Sequence, residues 1–306
     1  MYDTLLSSGG FPEYRGRVPV YQTLIPRFGG LDRLENRKKA TAAWLRSKSF
    51  QRSGLDGAEL TAKVLENCRS GGDFLSIVMG EIARKQQVAR WAVHSPDTVL
   101  RVTTTKKEIP EALFVHIIRD GRDIALSLRK LGEFRPFPWS RQPRNLEETA
   151  LYWEWMVKKG RRYGREIKND YLEICYEDLV SDPRSTLKVL GEFLDHNVDY
   201  DRIQTAALGT LSKPNSSFRE EVSDALFNPV RRWRQSLSQD EVASLEWQVG
   251  KTLEAVGYLR TISEQCWKPG IRDKWIRMIY PSFLEGKLWV KMNTPLGRFS
   301  SLAQLE

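Results

Sequence analysis

The chain has 306 residues, 41% of them hydrophobic, and 48 Lys and Arg against 39 Asp and Glu give it a net charge of +9. That apolar content suits one large core, and no run reaches the roughly 20 apolar residues of a membrane-spanning helix. Cys68, Cys175 and Cys266 are widely spaced and lack Cys-x-x-Cys spacing, which argues against a disulfide framework or zinc site and for a reducing, cytoplasmic compartment.

In chain order, residues 1–8 read as the end of a helix, with Met1 and Leu5 four apart and Gly9-Gly10 as the stop. Residues 33–47, 57–67 and 72–87 have helical spacing with charged outer faces. WAVHSP (91–96) reads as a strand end. LFVHII (113–118) is a short, β-branched apolar run and is predicted as a buried strand. A helix follows it, with Asp120 and Asp123 placed as N-cap and third helical residue. Residues 146–164 form another helix, and YLEICY (171–176) a second buried strand. Pro183 opens a helix to about residue 195, and a further helix spans roughly 239–255. Strands alternating with helices predict a parallel sheet covered on both faces. The chain shows no internal repeat and no low-complexity linker.

The segment VHIIRDGRDIALSL (115–128) carries the most chemistry. A buried strand ends, a glycine turn follows and a helix begins, and that edge of a parallel sheet favours an anion at the helix N-terminus. Arg119 stands at the strand end, and Ser127 lies about two turns into the helix. From spacing alone, the same charges equally fit solvated helix caps. Net charge +9 attracts polyanions such as nucleotides, anionic lipid or nucleic acid, but the basic residues interleave with acids and follow no nucleic-acid-binding motif. No Gly-x-x-x-x-Gly-Lys-[Ser/Thr] occurs, which argues against a P-loop kinase. Among three histidines, His116 reads as structural within its strand and His196 as solvent-facing. His94, at a presumed strand end, is the one placed to serve as a base, with a structural role as the alternative.

RDGRDIALS (119–127) resembles the segment with which sulfotransferases grip the 3′-phosphate of 3′-phosphoadenosine-5′-phosphosulfate (PAPS). YEDLVSDPRSTLKVLGEFLD (176–195) is similar to the next landmark of that family, and FNPVRRWRQSLSQDE (227–241) to its late basic loop; WAVHSP fits an earlier strand end. The matches fall in family order over residues 90–258 and look most like the bacterial and tyrosylprotein-type branch. The resemblance implies a three-layer parallel sheet of P-loop-like sulfotransferase type. It assigns Arg119 and Ser127 to the 3′-phosphate, Tyr176 to the adenine side, and Arg231 and Arg232 to the closing loop. Trp233 either stacks there or packs in the core.

The implied reaction is sulfuryl transfer from PAPS to a hydroxyl acceptor (carbohydrate, lipid or protein tyrosine) without a metal, and with no nucleic-acid partner. In the family, a first strand and a Pro-Arg-Ser-Gly-Thr-like loop for the 5′-phosphosulfate precede the helix that opens this chain. Their absence leads to the expectation that Met1 is an internal start, the native protein beginning about 15–25 residues earlier. The other reading of that absence is a degenerate, inactive relative that binds nucleotide or a partner only. Near RGRVPVY (15–21) tyrosylprotein-type relatives carry a glutamate as base, whereas Arg17 and Val18 stand here and Glu13 is displaced. The expected organisation is a sulfotransferase domain over 1–260 and a helical extension over 261–306. In that extension KWIRMIYPSFLEGKLWVKM (274–292) reads as a packed helix, with peripheral contact to an anionic membrane as the alternative.

Overall fold

The computed structural model describes residues 2–131, 144–207, 230–262, 268–294 and 296. They are mostly helical with one small parallel sheet, and fall into two compact units. The first contains described residues of Met1–Phe114, Leu187–Leu208 and Leu288–Glu306; the second contains those of Val115–Thr186 and Gly209–Lys287.

The first unit opens with α1 (Tyr2–Ser7), followed by a π-helical turn (Val20–Leu24) that runs directly into α2 (Ile25–Phe28). Then come α3 (Leu34–Leu45), α4 (Lys48–Ser53), α5 (Gly57–Asn67), α6 (Gly71–Lys85) and α7 (Val102–Glu108). Their apolar stripes converge on a core of Tyr14, Leu24, Leu31, Trp44, Val64, Phe74, Met79 and Ile82. Trp44 meets Phe74 edge to face at 6.4 Å, the arrangement the ring quadrupoles favour. Ser70 and Asp73 form a reciprocal capping box on α6, so two amides without helical partners are satisfied. Arg37, which the spacing of α3 places among outward charges, is buried and donates to the carbonyls of Leu31, Asp32 and Cys68.

Residues 91–95 form no strand; they lead into a 3₁₀ helix (Pro96–Arg101), so His94 does not stand at a strand end as expected. The proline one residue beyond Ser95 lacks a backbone N–H and favours such a turn start. His196 is likewise not solvent-facing. Its Nε2 lies 3.0 Å from the Ser8 hydroxyl and its ring packs against Phe11.

In the second unit β1 (Phe114–Ile118) leads into α8 (Gly121–Leu131), then α9 (Leu146–Glu166) and β2 (Tyr171–Cys175). β1 and β2 are hydrogen-bonded neighbours, joined through helices as parallel strands require. Among the described residues these are the two strands of the sheet; the expected three-layer sheet is not seen in them. Both strand predictions hold within one residue. α10 (Tyr176–Ser181) starts where β2 ends, and α11 (Pro183–Leu194) begins at its expected proline. From Leu187 on, α11 belongs to the first unit, as does α12 (Tyr200–Ala207), while α13 (Trp233–Ser236), α14 (Gln239–Ala255) and α15 (Ile271–Asn293) up to Lys287 belong to the second. No described helix is long and apolar enough to cross a membrane.

Candidate functional site

At the end of β1 the chain turns so tightly into α8 that Gly121 has no room for a side chain. A Cβ there would lie 2.6 Å from the Trp153 ring, inside van der Waals contact. The same indole donates from Nε1 to the Arg119 carbonyl at 3.0 Å, so Trp153 of α9 fixes where Arg119 leaves the strand. The Arg119 guanidinium lies 5.0 Å from the centroid of the Tyr176 ring and 3.8 Å from the Asp123 carboxylate. Two of the predicted residues, from the ends of adjacent strands, are thus brought together.

Asp123 joins the late basic segment to this corner. Instead of capping α8, its carboxylate accepts from the amides of Arg231 and Trp233, both at 2.9 Å. Arg231 is held at φ 60, a left-handed conformation that a side chain rarely adopts. Burial raises the Asp123 pKa, opposed by the Trp233 amide, the Arg119 charge and the Arg231 amide. Burial lowers the Arg232 pKa, Asp123 opposes that shift, and the like charge of Arg119 adds to it. Lys130 is also lowered, by burial and then by Arg232 and Arg129. Arg119 thus lies beside the buried Asp123 carboxylate, and like charge runs from Arg119 to Arg232 and from Arg232 to Lys130, a group of cations suited to an anion. Ser127 is buried one turn beyond Asp123 on α8. Trp233 is 3% exposed beneath the Arg122 guanidinium, 3.9 Å from its ring, so it packs and offers no face for stacking on a ligand. Residues 227–229 of the late basic segment lie outside the described residues.

Behind the corner stands a buried ion network. Arg122 donates to both oxygens of Asp120, and its other terminal nitrogen lies 2.5 Å from Glu246 of α14. Glu246 also accepts the amides of Thr261 and Ile262. The Asp120 amide donates to Glu177 at 3.0 Å, and the Tyr258 hydroxyl donates to the same carboxylate. Sequence reasoning placed Asp120 as the N-cap and allowed solvated charges here. Asp120 does cap α8, its carboxylate accepting the Arg122 amide at 2.9 Å, but these charges are buried and not solvated, because partners from α10 and α14 replace water. The Arg119–Asp123 spacing of four was the one local signal of this pairing; nothing local pointed to Trp153, Glu177 or Glu246.

His94 belongs to the first unit. It is exposed at the mouth of a cleft of about 210 Å³. Leu75, Met79, Val18 and Pro19 give that cleft apolar walls, while Arg17, Gln22, Ser95 and Arg101 give it polar ones. Beside it, the Tyr21 hydroxyl donates to Glu108, which also accepts the amide of Gly72, so the wall carrying Tyr21 is fixed to α6 and α7. Glu13, the displaced acid, is exposed and is not among the lining residues. Among the described residues no group of three His, Cys, Asp or Glu side chains is arranged to hold a metal.

A strand ending in an arginine, a glycine-tight helix start, an aromatic ring at the end of the next strand and a late basic segment tied to the same corner define an α/β protein with a cationic corner at its strand ends. A family model described as the sulfotransferase family matches residues 10–200, well over half the chain, and the chain belongs to that family. Sulfotransferase 2A6 of Mus musculus is 29% identical over 107 residues, covering 30% of this chain and 35% of that protein. The match thus spans about a third of the relative's length. No solved structure matches.

Proposed function

We propose that the chain transfers a sulfuryl group from PAPS to a hydroxyl-bearing acceptor, with the corner at the end of β1 holding the nucleotide. Arg119 and Ser127 take the 3′-phosphate, Tyr176 lies on the adenine side, and Arg231 and Arg232 close over it. Family membership supports sulfuryl transfer. The observation that carries the nucleotide assignment is the Arg119 guanidinium set between the Tyr176 ring and Asp123, whose carboxylate also holds the late basic segment by the amides of Arg231 and Trp233. Arginine suits the task because its planar fork meets a phosphate bidentately. In the reaction the acceptor oxygen bonds to sulfur as the sulfur–phosphate oxygen bond breaks, and adenosine 3′,5′-bisphosphate departs. The acceptor's proton goes to a base, which we assign to His94.

Calorimetry tests the nucleotide reading. Adenosine 3′,5′-bisphosphate should bind far more tightly than AMP, and Arg119→Ala should cost about 1.5–3 kcal/mol of that preference. Equal affinity for the two nucleotides would sink it. The cleft gives a separate test. His94→Ala should lower turnover with radiolabelled donor by roughly 10²–10⁴ and leave bisphosphate affinity unchanged. A loss of tenfold or less returns His94 to a structural role. Tight bisphosphate binding by the wild type without any turnover would favour the nucleotide-binding, inactive relative.

A further inference from the structure

α15 presents two unlike faces. One faces the protein: Tyr280 and Leu284 are buried, and the Tyr280 hydroxyl accepts from Arg144. Arg277 pairs with Glu154, while Glu285 accepts from the Trp155 indole and pairs with Lys159. The opposite face carries Ile271 (78% exposed), Trp275 (54%), Met278 (63%) and Ile279 (51%). Their spacing of zero, four, seven and eight residues sets all four on one side of the helix. Large apolar side chains grouped on one face mark an interaction surface, whereas single exposed ones are ordinary.

The surrounding charge selects the occupant. Lys268, Arg272 and Lys274 are exposed around this face, whereas the nearby acid, Asp273, accepts the Gly270 amide at 2.8 Å. Two copies of this face packed about a twofold axis would bring the same three cations together, which disfavours self-association. An anionic surface satisfies them. Tryptophan beside cations, with aliphatic residues on the same stripe, is the composition of a helix lying in a lipid interface. We propose that residues 271–279 form a peripheral docking surface for bilayers carrying anionic lipid. The proposal is independent of the nucleotide reading.

The test uses the full chain with sedimenting vesicles of phosphatidylcholine, with or without about 30 mol% phosphatidylserine. The protein should sediment with the phosphatidylserine vesicles, its tryptophan emission shifting to the blue, and bind pure phosphatidylcholine far less. Trp275→Ser with Ile279→Ser should weaken binding at least about tenfold, as should Lys268→Glu, Arg272→Glu and Lys274→Glu together. All five side chains are exposed, so melting curves should match the wild type. No binding to phosphatidylserine vesicles, or binding that survives either set of substitutions, overturns the proposal. So does a wild-type dimer in light scattering that Trp275→Ser with Ile279→Ser dissolves, since the face would then join two copies of the chain.

Discussion

His116 stands in β1 with Nδ1 against the Tyr171 hydroxyl of β2. Burial is the main cause that pushes its pKa from 6.5 down to about 4, with Glu173 opposing and Arg161 adding. The folded protein holds this imidazole neutral where the unfolded chain protonates it. Between about pH 6.5 and 4 the unfolded state binds the extra proton, so stability falls as pH drops through that window and levels off below it. The full effect is about 3 kcal/mol at 1.36 kcal/mol per pKa unit. Urea denaturation at pH 7 and pH 5 should show wild type losing clearly more stability than His116→Gln, and parallel losses would contradict the buried, neutral assignment. This structural role was legible, since a histidine inside an apolar β-branched run has little access to water. The burial of Asp120 and Arg122 was not. Their partner Glu246 lies 124 residues from Arg122, and no local pattern carries that information. His196 escaped in the same way, its partner Ser8 being 188 residues distant.

Helices with local stop and start signals were legible almost to the residue. α5, α9 and α14 combine apolar periodicity with Asp56, Asn145 and Ser238 as N-caps, and the latter two are completed by Glu148 and Glu241. α15 was expected as a packed helix and packs by one face, because its second apolar stripe lies outward. α13 is the element whose position depends on another. It is four residues long, too short to persist by propensity, and the Asp123 carboxylate holds its start through two amides. Asp123→Ala leaves those amides facing a void and the left-handed Arg231 without its restraint. Each orphaned amide costs about 1–3 kcal/mol, so the melting temperature should fall by at least about 4 °C. An unchanged melting curve would remove Asp123 from this role.

Across the molecule, both strands and the longer helices were readable in order from local signals, whereas the short helices α2, α4, α7, α10, α12 and α13 were not foreseen. Nor was the division into two units, because it depends on which distant helices meet. The core from Tyr14 to Ile109 is built from one continuous stretch of chain. The second unit is different: α8 and α9 pack against α14, and the charge of Arg122 is balanced in part by Glu246. A ribosome adding about 5–20 residues per second needs roughly 6–25 s to travel the 124 residues between them. The amino-terminal helices can condense during synthesis. For those seconds the strand, turn and helix that carry Arg119 wait with an apolar flank and a partly balanced Arg122. The segment proposed to hold the nucleotide is thus one that stays open to wrong partners until α14 has left the ribosome.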